Sequence, residues 1–179
     1  MTKKILITGK PGIGKTTVIK KLANILNDKA VGFYTEEYRD PKTHKRKGFK
    51  VITTFGKQTI LADVDLKSPY KVGKYGVNVE GFEKTVIPLL TNANKEREKI
   101  FLIDEIGKME FYSEKFRDLI EDIMENPDIK VVATISKKDF HPLIQKIKNL
   151  PDVKLIEINY ENRDRIVQEI LKMLNESKN

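Results

Sequence analysis

The chain has 179 residues, a net charge of +8 and a mean hydropathy of −0.45, enough length for one domain with a full core. It has no cysteine and two histidines, His44 and His141, which excludes disulfides, thiolate metal sites and a histidine-rich metal centre. No stretch approaches the roughly twenty apolar residues of a membrane span, and the first apolar run is followed by glycine and lysine rather than a cleavage site, so a cytoplasmic protein is expected.

Residues 4–8 are an apolar run that predicts a first strand. The stretch GKPGIGKTT follows at residues 9–17. Residues 15–27 then place apolar side chains at helical spacing. Strand, glycine-rich turn and helix, with Gly9, Gly14, Lys15 and Thr16 fitting G-x-x-x-x-G-K-[ST], define a phosphate-binding P-loop. Its successive N–H groups form a concavity suited to phosphate, and the helix N-terminus adds partial positive charge there. Lys15 is expected to reach the β- and γ-phosphates, and Thr16 to place its hydroxyl on Mg2+.

Residues 30–36 predict a second strand close after the helix, as a βαβ unit requires. The alternating pattern then breaks. Residues 48–54 and 57–62 are strand-like around Phe55-Gly56 and predict an antiparallel hairpin, an insertion over about 38–63. Residues 63–78 read as a loop whose Tyr70 and Tyr75 are expected to pack over the core edge rather than stack on a base. Residues 80–94 predict a helix, with a kink expected at Pro88. Residues 99–103 are a strand apolar on both faces. A helix capped by Ser113 over 113–124, a strand over 129–135, a short helix from an Asp139 cap to 148, a strand over 153–158 and a helix from about 160 to 175 complete the chain. The expected fold is a single α/β domain over 1–179, a P-loop NTPase of RecA/ASCE-like type. It is a three-layer sandwich around a mostly parallel sheet, with the antiparallel hairpin inserted. Ligands sit at the carboxyl ends of such strands, where the P-loop, Glu36, Asp104, Glu105 and Ser136 all fall.

Asp104 and Glu105 end a buried apolar strand, where two adjacent carboxylates are costly without partners. With a P-loop upstream, Asp104 is expected to hold Mg2+ and Glu105 to take the proton of an attacking water. ASCE-class P-loop ATPases use this pair, whereas nucleotide kinases mostly lack the glutamate. Gly107 is expected to let the chain turn beside the phosphates, with Lys108 adding positive charge.

These motifs carry a particular resemblance. GKPGIGKTT at 9–17, GFYTEE at 32–37 with Arg39 after it, RKGFKV at 46–51, DEIGKME at 104–110, HPL at 141–143 and NR at 162–163 resemble the small P-loop nucleoside-triphosphatase family that includes the cancer-related nucleoside-triphosphatase. Phe111 departs from an expected leucine and Tyr38 from an expected β-branched residue. The resemblance implies Mg2+-dependent hydrolysis of ATP, GTP and other nucleoside triphosphates to diphosphate and phosphate, with low base selectivity and slow turnover. Carried onto this chain, the nucleotide-binding residues are Gly9, Lys10, Pro11, Gly12, Ile13, Gly14, Lys15 and Thr16, with Phe101, Leu102, Ile103, Asp104, Glu105, Ile106, Gly107 and Lys108.

An arginine finger is sought among Arg39, Arg46, Arg117, Arg163 and Arg165, with Arg163 and Arg39 preferred. Two alternatives stand beside hydrolysis. One is a nucleotide or small-molecule kinase. The other is a nucleic-acid-associated NTP switch, to which the positive charge points, although lysines are spread along the chain and cluster only around residues 42–50. A membrane partner is not expected, and a monomer is favoured.

Overall fold

The structure is a computed structural model and describes residues 3–95 and 98–176. β1 (Lys4–Thr8) is buried along its whole length and sits between two parallel neighbours, β8 (Lys130–Ile135) and β9 (Val153–Glu157). β7 (Ile100–Ile106) pairs parallel to β8, and β2 (Ala30–Arg39) parallel to β7. From β2 outward the sheet turns antiparallel through β3 (Arg46–Thr53), β4 (Gln58–Asp63), β6 (Tyr75–Val77) and β5 (Lys71–Val72). The result is one nine-stranded sheet in the order β5-β6-β4-β3-β2-β7-β8-β1-β9.

The central strands are apolar on both faces because helices cover both. On one face α2 (Val79–Ala93), α3 (Glu114–Glu125) and α4 (Pro142–Lys148) bury Val86, Leu90, Ile120, Ile123 and Ile144. Phe33, Phe82 and Phe116 meet edge to face there, with centroids 5.1–6.2 Å apart, a geometry that matches ring edges to ring faces. On the other face α1 (Lys15–Leu26) and α5 (Ile166–Glu176) bury Ile19, Leu22, Ile166 and Ile170 against β1 and β7. This is the expected three-layer sandwich.

Several local expectations are corrected. The stretch 63–78 is not all loop: it supplies β5 and β6, strands too short to leave a period in the sequence. Of its tyrosines, Tyr75 packs over the core edge as expected, against Phe49 at 5.3 Å, whereas Tyr70 is exposed and meets the exposed Tyr112 at 5.2 Å. Pro88 lies inside α2, as expected. The cap of α4 is His141, whose Nδ1 accepts from the Leu143 amide at 3.0 Å, while Asp139 pairs with Lys148 at 2.8 Å. α5 starts at Ile166 rather than near 160. The preceding turn is held by Asn159, which accepts from the amides of Glu161 and Asn162, each at 2.9 Å. Among the described residues no helix is long and apolar enough to cross a membrane.

Candidate active site

The turn between β1 and α1 needs glycine. Gly14 holds φ 116°, ψ 21° where the helix begins, a left-handed conformation that side chains disfavour. From that turn Lys15 folds back so that its Nζ donates to the Gly9 carbonyl at 3.0 Å. Thr16, in the first turn of α1, donates its hydroxyl to Asp104 Oδ2 at 2.8 Å.

Asp104 is the best-anchored side chain of the site, with 1 % exposure. Besides Thr16, its Oδ2 accepts from the Thr35 amide at 3.2 Å, and its Oδ1 accepts from the Thr134 hydroxyl at 2.7 Å. Burial pushes its carboxyl up, against the hydrogen bonds from Thr134, Thr16 and the Thr35 amide and the charge of Lys15. Thr134 reaches it because β8 lies between the P-loop strand and the acid-bearing strand. Neither Thr134 nor Thr35 was singled out in the sequence. The signal for Thr134 was present: it is a lone hydroxyl among the buried apolar residues Val131, Val132, Ala133 and Ile135.

Glu105 is half-buried and faces the cavity. Burial raises its carboxyl first, Lys15 pulls it down, and the neighbouring Asp104 raises it. Gly107 makes room for it: a Cβ at that position would lie 2.4 Å from Glu105 Oε1. Glu110, which sequence reasoning passed over, lies in a 3-10 turn (Glu110–Tyr112) with 4 % exposure. Its carboxyl is pushed well up, by burial first and then by the charges of Glu105 and Asp104.

Glu105 and Glu110 line a cavity of about 1000 Å3, with Asp104 buried just behind its wall. Gly9, Lys10, Pro11, Gly12, Gly14, Lys15 and Thr16 form its P-loop end, joined by Glu105, Lys108 and Ser136. The side chains of Ile13, Phe101, Leu102, Ile103 and Ile106 lie in the core, at 4 % exposure or less. Their part is to hold the loop and the acids in register. Arg163 stacks over Tyr160 at 5.0 Å and does not line the cavity. Arg39 also stays outside it, bonded to the His44 carbonyl at 3.0 Å and to Glu37 at 3.2 Å. Among the described residues the arginine that lines it is Arg46, paired through Nε with Glu37 at 3.0 Å. Arg117 donates to the Phe111 carbonyl and Arg165 pairs with Glu169, so both serve local structure.

A P-loop on one strand, acids on the strand two places away and a hydroxyl-bearing strand between them define a P-loop NTPase of the ASCE arrangement. The chain belongs to the NTPase family, whose model matches residues 4–171. It is 52% identical over 175 residues to nucleoside-triphosphatase THEP1 of Aquifex aeolicus, covering 96% of this chain and 98% of that one. It is 34% identical over 191 residues to the human cancer-related nucleoside-triphosphatase, covering 99% and 100%. The crystal structure of Aquifex aeolicus THEP1 superposes with a TM-score of 0.88, covering 96% of this chain and 98% of that one. The solution structure of the human protein gives 0.82, covering 98% and 99%.

Proposed function

We infer that this chain hydrolyses nucleoside triphosphates to diphosphate and phosphate. The observation that carries the reading is the direct bond from Thr16 of the P-loop to the buried Asp104, with Glu105 beside it facing the same cavity. P-loop amides and Lys15 would bind the β- and γ-phosphates, and Glu105 would take a proton from water. Its raised pKa brings it closer to that of an efficient base near neutrality.

The hydroxyl and carboxylate of Thr16 and Asp104 are hard oxygen ligands of the kind Mg2+ takes when phosphates complete its shell. A buried carboxylate whose charge is opposed by burial is also suited to a cation. When bound there, Mg2+ would neutralise charge on the β- and γ-oxygens.

Among the described residues no arginine lines the P-loop end of the cavity. Arg163 and Arg39, the preferred candidates, face other partners, so intrinsic turnover is read as slow. The triphosphate is gripped by backbone amides and lysines, which do not distinguish bases, so selectivity is read as low. We place this activity in a single cytoplasmic domain acting as a monomer.

The test is phosphate release from ATP, GTP, CTP and UTP, each with and without Mg2+. All four should be hydrolysed at similar rates, only with Mg2+, and Lys15→Ala should abolish it. Turnover restricted to one base would overturn low selectivity. Phosphate release by Lys15→Ala at the wild-type rate would overturn the site.

A further inference from the structure

The cavity is larger than a P-loop ligand requires. It runs past the acids to a second end, lined by Arg46, Phe49, Leu61, Val72 and Met109. In sheet order this end lies across β7 from the P-loop: β4 is three strands beyond β7, roughly 14 Å at about 4.8 Å per strand. A triphosphate held by Lys15 and Thr16 stops at Asp104 and Glu105. Hydrolysis by water gives no reason for an apolar chamber on the far side of those acids.

The far end has a definite chemistry. Phe49, Leu61, Val72 and Met109 offer an apolar slot. At its mouth the Arg46 guanidinium lies 5.6 Å from the Phe49 ring centre, with its Nε on Glu37 at 3.0 Å. That pair presents an N–H donor group and a carboxylate acceptor side by side. Glu110 is buried at the inner limit of the cavity, with 4 % exposure. Glu36, Glu37, Glu105 and Glu110 all line the cavity, while the nearby cations Arg46 and Lys20 are already paired with Glu37 and Glu36. At this end Arg46 is already paired with Glu37, so the residues that form the slot leave no cation to hold a phosphate. An uncharged planar ring with a mixed donor and acceptor edge and a hydroxyl-bearing tail fits.

We propose that the far end of the cavity is a second binding subsite, for an unphosphorylated nucleoside whose sugar hydroxyl faces the γ-phosphate and competes with water for it. The ring lies in the slot of Phe49, Leu61, Val72 and Met109, its edge meets Arg46 and Glu37, and Glu110 orients the sugar hydroxyl. In the transfer, that hydroxyl oxygen forms a bond to the γ-phosphorus. The bond from the γ-phosphorus to the β–γ bridging oxygen breaks, and its electron pair leaves with the nucleoside diphosphate. The hydroxyl proton goes to Glu105. The proposal rests on the P-loop reading for the position of the γ-phosphate.

The experiment uses ATP labelled at the γ-phosphate, with Mg2+ and millimolar adenosine, guanosine, cytidine, uridine or thymidine. Labelled nucleoside monophosphate is separated from labelled phosphate. The proposal expects label in at least one nucleoside, with phosphate release falling correspondingly. Val72→Trp, which fills the slot from a short edge strand, should remove transfer while leaving phosphate release without nucleoside unchanged. Phe49→Ala should raise the nucleoside concentration needed for transfer at least tenfold. Continued phosphate release with no labelled monophosphate from any nucleoside overturns the subsite and leaves the hydrolase reading intact. If phosphate release is itself absent, the hydrolase reading fails. Calorimetric titration of the nucleosides, with a non-hydrolysable ATP analogue present, then decides: no binding overturns the subsite, and binding abolished by Val72→Trp supports it.

Discussion

The Thr16 hydroxyl donates to Asp104 Oδ2 at 2.8 Å across 88 residues of sequence, joining the two halves of the site in one hydrogen bond. Removing it should separate metal use from folding. In Thr16→Ala, Asp104 keeps the Thr134 hydroxyl and the Thr35 amide, so the loss of one bond to a buried carboxylate costs about 1–3 kcal/mol. The Mg2+ concentration for half-maximal hydrolysis should rise about tenfold or more, an expectation from the loss of a hard oxygen ligand. Thr16→Ser should restore it. Titrating Mg2+ against phosphate release checks both.

Glu105→Gln keeps the volume of the side chain and removes its basicity. Nucleotide binding should be retained while single-turnover hydrolysis falls about 10²–10⁴-fold. The wild-type rate should fall on acidification as Glu105 takes up a proton, at a pH above the usual glutamate range because burial raises its pKa. The variant should lack that acidic limb. A pH–rate profile of both proteins is the measurement.

Gly107→Ala tests position without changing any charged group. The new Cβ would fall 2.4 Å from Glu105 Oε1 and 3.2 Å from its Cγ, so the carboxylate must move. A misplacement of about 1 Å costs up to 10²-fold in rate. We expect kcat to fall at least tenfold with KM little changed. Thermal unfolding should barely shift, because the clash is with the end of a side chain.

Glu110→Gln should stabilise the protein in a pH-dependent way. The folded pKa of Glu110 is raised well above the ordinary value, by burial and then by Glu105 and Asp104. Its neutral form is therefore the favoured one in the fold. That contribution is fully present below the unfolded pKa of about 4.3 and is lost as pH rises through the folded pKa. Glutamine has no charge to bury, so the variant should unfold at higher temperature than wild type at pH 8. Each kcal/mol gained corresponds to about 2–4 °C for a chain of this size. The difference should vanish near pH 4. Calorimetry at the two pH values checks the sign.

Local chemistry was legible in the residues themselves. Gly9 to Thr16 marks the phosphate loop because its conformation and its ligand both depend on neighbouring residues. Asp104 and Glu105 stand out because two carboxylates ending an apolar strand need a reason. The core strands show through their runs of apolar residues, and so did the hairpin of β3 and β4. The edge strands β5 and β6 were hidden, since a two-residue strand, Lys71–Val72, has no periodicity and exists only because β6 pairs with it. Arg39 and Arg163 looked available from sequence because an arginine's partner is chosen in space. The structure gives them the His44 carbonyl and the Tyr160 ring.

What the sequence alone determined is therefore the phosphate loop, the acidic pair and the α/β pattern that carries them. Only the tertiary structure decided that β8 runs between β1 and β7, putting Thr134 on Asp104, that Glu110 is buried against the same cavity, and that the cavity continues to Phe49 and Val72. The physical reason is one of range. Dihedral preference and side-chain chemistry act over a few residues, whereas strand order and burial follow from packing the whole chain at once.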